Sequence, residues 1–247
     1  MESSIGDANQ SLYSVDTYLR KNSEKANPGA GFSQESERIL RIDVDRSVWI
    51  KPGAAIAYRG DIKFERLATL KGKGLKEIVM REASPLARAS GKGCLYCAHK
   101  GWHLRVLELA GGSICVVSES LLAFEEALEF EMFLVGHGVG VAASGLFGVK
   151  LTGKGRLAFA IHGDPLTMKV TPESPVITDP HATLAWSSEL EPELKTDLQW
   201  KALFEHGGGE PFQMVFKGDG YVTVQPTEEP GKFKWKPGSK LKSLIGL

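Results

Sequence analysis

"SESLLAFEEALEFEMF", Ser118 to Phe133, supports two incompatible readings. Taken by itself it predicts a helix. A serine stands near its start, Leu121, Phe124 and Leu128 fall at helical spacing, and good helix formers fill the remainder. Taken with period two, Phe124, Leu128 and Phe130 share one face while Glu125, Glu129 and Glu131 share the other. That alternation belongs to a half-buried strand. The rest of the chain decides between the two.

A related phrase occurs three times: "AYRGDIKFE" at Ala57 to Glu65, "AFEEALEFE" at Ala123 to Glu131, and "AWSSELEPE" at Ala185 to Glu193. Their aromatic residues, Tyr58, Phe124 and Trp186, lie 66 and 62 positions apart. A second marker keeps step. "GKGCLYCA" begins at Gly91, "GKGRLAFA" at Gly153 and "GDGYVTVQ" at Gly218, at spacings of 62 and 65. Two markers with one period identify an internal repeat, which outranks any local pattern. The first copy carries Gly60 and Asp61 in mid-segment and the third carries Pro192, neither suited to a helix interior. All three copies therefore read as strands.

The chain is accordingly expected to be all-β, with three tandem sandwich or barrel-like units. The expected divisions are a polar extension over 1–37, β repeats over 38–90, 91–152 and 153–230 (the last with a closing strand), and a basic tail over 231–247. Phrases such as "WIKPGAAIAY" and "KVTPESPVITDP" supply the Pro, Gly and β-branched punctuation of short strands. Lys76 to Ala83 and Leu198 to Glu205 are candidates for short helices between repeats. Tyr58, Phe124 and Trp186 are expected to anchor equivalent cores, with Ala57, Ala123 and Ala185 packed closely beside them. Gly91, Gly93, Gly153, Gly155, Gly218 and Gly220 are expected to form structural turns.

Composition narrows the function. Thirty Lys and Arg balance thirty Asp and Glu, so the formal net charge is zero. That argues against a generic attraction to nucleic acid, which depends on excess basic residues. Three cysteines, Cys94, Cys97 and Cys115, are too few for a disulfide scaffold and fit reduced thiols. The polar, acidic start "MESSIGDANQ" resembles neither a secretory signal nor a transit peptide. The most apolar run, Phe133 to Phe147, contains His137 and four glycines and falls short of a membrane span. These features point to a soluble, cytoplasmic chain.

"CLYCAHKGWH" gathers Cys94, Cys97, His99 and His103, a set that suggests zinc. The repeat speaks against it. Cys94 aligns with Arg156 and Tyr221, Cys97 with Phe159 and Val224, and strand residues three apart point to opposite faces. These residues are only weak candidates, and no metal or cofactor is expected. "GVKLTGKG", Gly148 to Gly155, approaches a phosphate-binding loop. It has Gly155 where Ser or Thr would hold magnesium, and a strand follows in place of a helix. His162 and His181 form no metal-binding pair, and no nucleophile–His–acid set stands out. The carboxylates Glu125, Glu126, Glu129 and Glu131 read as a solvated face. The tail sets Trp235 among Lys232, Lys234, Lys236, Lys240 and Lys242, a composition able to touch an anionic membrane or nucleic acid, although a frayed, solubilising terminus is the commoner meaning of such a run.

The phrases "SVWIKPGAAIAYRGDIKFER", "SLLAFEEALEFEMF", "VTPESPVITDPHATLAWSSELEPEL" and "FQMVFKGDGYVTVQP" together resemble the altered inheritance of mitochondria protein twenty-four family. The resemblance covers about Ser36 to Pro230. It implies that each repeat is a β-sandwich unit like the tryptophan RNA-binding attenuator protein, and that three chains form a homotrimeric ring of approximate ninefold symmetry. It brings no enzymatic activity and suggests a scaffold or modulator of a protein complex, with contact at a membrane surface as a further expectation. The attenuator protein's RNA- and tryptophan-binding positions find no counterpart in all three repeats. A nucleic-acid-binding ring is the alternative reading, and a metal-dependent β-barrel enzyme the second.

Overall fold

The structure is a computed structural model that describes residues 14–25, 31–66, 86–135, 146–196 and 212–226. One short helix, α1 (Val15–Asn22), precedes a chain of strands. Its start follows from Ser14, whose hydroxyl accepts from the Thr17 amide at 3.2 Å, and from Asp16 in the first turn. The strands are β1 (Phe32–Ser36), β2 (Ile39–Val44), β3 (Ser47–Ile50), β4 (Ala55–Arg66), β5 (Ala87–Cys97), β6 (His103–Val117), β7 (Leu121–Glu125) and β8 (Glu129–Leu134). They continue with β9 (Phe147–Ile161), β10 (Leu166–Val170), β11 (Val176–Thr178), β12 (Thr183–Ser187), β13 (Glu193–Thr196), β14 (Phe212–Phe216) and β15 (Gly220–Val224). Twelve form one sheet in the order β1-β2-β5-β3-β7-β9-β6-β12-β15-β10, with β4 beside β5 and β8 beside β9. The other three form a second sheet, β11-β14-β13.

The ambiguous stretch from Ser118 is strand, turn, strand. β7 and β8 are joined by a tight turn in which the Leu128 amide donates to the Glu125 carbonyl at 3.0 Å. The same turn closes after β12, where Leu190 donates to Ser187 at 3.0 Å. Glycine register then lines up the ladders. Tyr58 stands opposite Leu95, Phe124 opposite Leu157 and Trp186 opposite Val222. Each of those partners lies four residues beyond Gly91, Gly153 or Gly218. Bulges fall between Ala55 and Ala57, Leu121 and Ala123, and Thr183 and Ala185. Gly91, Gly153 and Gly218 have φ of 130°, 117° and 109°, a region closed to side chains without strain. A Cβ on Gly91 would come 1.9 Å from the Asp61 carbonyl oxygen.

Where β7 and β8 turn, β4 bends without breaking. Tyr58 and Phe64 are six residues apart, about 20 Å along a straight strand, yet their ring centroids lie 5.4 Å apart. The core divides into three clusters. The first joins Phe32, Leu40, Ile42, Val48 and Leu122, the second Trp49, Phe124, Leu128 and Leu157, and the third Trp186, Leu190, Phe216 and Val222. Trp49, unremarked in the repeat pattern, stacks on Phe124 with centroids 6.2 Å apart.

Several expectations need correction. Ala57 and Tyr58 do not anchor a core in the single chain. Both are exposed, Tyr58 at 53%, because β4 pairs only with β5 and nothing covers its outer edge among the described residues. The polar extension does not reach residue 37, since β1 pairs antiparallel with β2 and buries Phe32. The divisions at 90/91 and 152/153 fall inside β5 and β9, because Gly91, Gly93, Gly153 and Gly155 lie within those strands and form no turns, whereas Gly218 does sit between β14 and β15. The segments 76–83 and 198–205 and the basic tail lie outside the described residues.

Candidate functional site

The cysteine–histidine set is dispersed by strand geometry. Cys97 faces the first core cluster and is buried. Desolvation pushes its thiol up to about 12, so it remains protonated near neutral pH. Cys94 is partly buried and interacts with the Tyr96 hydroxyl on the other side of β5. His99 packs edge-on against Trp102 at 5.0 Å, and the His103 Nε2 lies 3.7 Å from a Glu37 oxygen. Among the described residues, no three His, Cys, Asp or Glu side chains gather to hold a metal ion. Cys115, on β6, is likewise raised to about 11 by burial.

The other candidates are structural struts. Glu125 accepts the Arg156 amide at 2.9 Å, which fastens the β7 turn to β9. Glu126 bonds Ser47 and Arg88 and ties that turn to β3 and β5. The His162 amide donates to Gln225 Oε1 at 3.1 Å, and the His181 amide to Asp179 Oδ1 at 2.6 Å. Lys51, buried after β3, donates to the Glu119 carbonyl at 2.9 Å and to its carboxylate at 3.0 Å. Desolvation pushes the Glu119 carboxyl up, but the Lys51 charge and hydrogen bond outweigh it and hold the group below the usual glutamate range. No described helix is long and apolar enough to cross a membrane.

What remains is a groove and, among the six described strands paired on one side alone (β1, β4, β8, β10, β11 and β13), two edges at ladder positions that are filled elsewhere in the chain. The groove encloses about 320 Å³ beside β6, lined among others by Arg105, Leu107, Ile114, Phe159, Thr167 and Leu184. The edges are the outer sides of β4 and β11, each paired on one side alone. They carry exposed apolar side chains: Ile56 at 55%, Tyr58 at 53% and Ile177 at 56%. The inner side of β11 repeats a register seen twice elsewhere. Val48 faces Ala89, Ile114 faces Leu151 and Val176 faces Phe216, each partner two residues before Gly91, Gly153 or Gly218. On their outer sides β3 and β6 carry β7 and β12, with Trp49 opposite Phe124 and Cys115 opposite Trp186. Sequence reasoning marked none of Leu107, Thr167 or Ile177. The β-branched run Val176, Ile177 and Thr178 between Pro175 and Asp179 was the signal for Ile177.

A family model described as "Mitochondrial biogenesis AIM24" matches residues 32–227, from the first strand of the sheet to just beyond the last. The chain belongs to the AIM24 family. This AIM24 chain is also similar in fold to the X-ray crystal structure of protein SPYM3_0169 from Streptococcus pyogenes. The two are 20% identical, with a TM-score of 0.62 over 80% of this chain and 92% of that one. A comparison with curated proteins finds no match. The family match begins at Phe32, in keeping with β1 as part of the AIM24 fold rather than of a loose extension.

Proposed function

We propose that the chain is a non-enzymatic β scaffold, built of three attenuator-protein-like units, that assembles head to tail with copies of itself into a closed homotrimer. Its role is to organise or modulate a protein complex. The observation that supports this reading is the complementary pair of open edges. In each internal junction a strand such as β3 or β6 lends its outer side to the strand holding the next aromatic. β11 is the third such lender and β4 the third receiver. Continuing the same register sets Val176, Ile177 and Thr178 of one copy opposite Arg59, Tyr58 and Ala57 of the next. That pairing covers Ile177 and Tyr58, the most exposed apolar side chains on these edges apart from Ile56, and a closed ring leaves no such edge open to stray pairing.

The non-enzymatic part rests on how the reactive groups are used. The Cys97 and Cys115 thiols are held protonated by burial, and the candidate carboxylates brace turns. Light scattering on the eluting protein tests the assembly, with three times the chain mass expected. A clean monomer at micromolar concentration would overturn it. In a Cys94→Ser background, Tyr58→Cys with Ile177→Cys should cross-link between chains under mild oxidation, and a trimer that never cross-links would remove this register.

A further inference from the structure

The two junctions inside the chain are built on the same ladder but covered differently. At the first, β1 lies along the outer edge of β2, with Phe32 opposite Ile42 and Gln34 opposite Leu40. Phe32 is buried in one cluster with Leu40, Ile42, Val48, Cys97 and Leu122. By ladder position the counterparts of those five at the second junction are Arg105, Leu107, Ile114, Phe159 and Leu184, and all five line the groove. Nothing among the described residues stands where Phe32 would be. Leu107 is 37% exposed whereas Ile42 is 2% exposed. The outer edge of β6 over 105–110, which corresponds to the edge of β2 that carries β1, pairs with no described strand, while at Leu104 that edge is held by the Glu37 carbonyl and the Gln34 side chain.

We propose that this edge and groove form a docking site for an extended segment of a partner protein, added antiparallel to β6 with a large aromatic side chain opposite Leu107. The occupant is of the kind that the chain itself supplies at its first junction. Main-chain hydrogen bonds along β6 hold such a strand, and the groove selects its aromatic. Two residues on, the segment comes opposite Arg105, the counterpart of Leu40, which favours a carboxylate there. Arg105 Nη2 lies 3.4 Å from Asp164 Oδ1 at an exposed position, so it can engage a second carboxylate. Pro165 stands where Leu104 donates to the Glu37 carbonyl at 2.7 Å, so the hydrogen bonding of the docked segment ends one bond earlier than that of β1. The inference rests on the three-unit reading of the fold and not on closure between chains.

The test is fluorescence anisotropy with a labelled peptide of sequence GFSQESE, that of residues 31–37, titrated with the full chain. Saturable binding is expected. It should weaken about ten- to a hundredfold when the peptide's phenylalanine becomes serine, the ratio expected for one buried aromatic side chain. Leu107→Lys and Thr167→Arg block the groove from opposite walls and should each weaken binding as much, with thermal melting used to verify that both variants fold. A peptide with glutamate for glutamine should bind more tightly, and an unchanged affinity would overturn the role given to Arg105. Absence of saturable binding at millimolar peptide overturns the site. So does binding indifferent to both protein variants, which marks exchange with β1 at the first junction. A monomeric chain that binds the peptide as expected sinks the assembly and leaves the site standing, and a trimer that ignores the peptide does the reverse.

Discussion

Phe124 and Tyr58 each stand opposite the residue four beyond a glycine, Gly153 or Gly91, yet their surroundings are opposite. Beside Phe124, β3 closes the strand edge, Trp49 stacks on the ring and Phe130 meets it edge-on at 5.5 Å, leaving it fully buried. Beside Tyr58 the edge of β4 faces solvent and the ring touches Phe64 of its own strand. The difference does not lie in the strand that carries the aromatic, since both pair with the following long strand in the same register. It lies in the neighbour. A rung becomes core only when another strand lends it an edge, and among the described residues no strand lends one to the outer side of β4.

The comparison predicts a wide split in energetics. Phe124→Ala should destabilise the chain by about 3–5 kcal/mol, since a fully buried aromatic is replaced by a cavity between two strands. Chemical denaturation measures it, and a loss no larger than that of an exposed position would break the contrast at its buried end.

A smaller effect concerns the strut that seats β3 on β7. Glu119→Gln should cost about 0.5–1 kcal/mol, because the carboxylate is largely exposed while Lys51 keeps its backbone acceptors. The sign with pH follows from the lowered carboxyl. The stabilisation by Glu119 is fully present above the ordinary glutamate value of about 4.3 and is lost as pH falls through the lower folded value. Denaturation midpoints across acidic pH should therefore converge for wild type and Glu119→Gln. Parallel curves would remove the ion pair from the account.

The smallest effect on the chain itself belongs to Tyr58→Ala. In the dissociated chain it should change stability by no more than about 0.5 kcal/mol, as an exposed position does, while shifting the light-scattering mass toward monomer at a given concentration. A large loss of stability in the monomer would mean that Tyr58 is core after all, and the two rungs would cease to differ.

Much of the fold could be read from the residues. Gly60 and Pro192 ruled out the helix that Ser118 to Phe133 offers, and the turn at Glu125 to Leu128 is the point at which its helical spacing misleads. The glycines at 91, 153 and 218 were found by their period, and the pairing of Phe124 with Leu157 and of Trp186 with Val222 follows from it. The groove could not be read. Leu107 looks like any apolar strand residue, and Phe32 sits in a phrase polar enough to pass for a loose extension. Trp49 went unnoticed because its partner Phe124 lies 75 positions away.

By itself, then, the sequence determined the strand character and which side chains share a face, because alternation and glycine conformation are local properties of the backbone. Only the tertiary structure decided which of those faces are covered. Burial depends on the strand that arrives from elsewhere in the chain, and β1, β3 and β6 each reach one junction and leave a like place open beyond it.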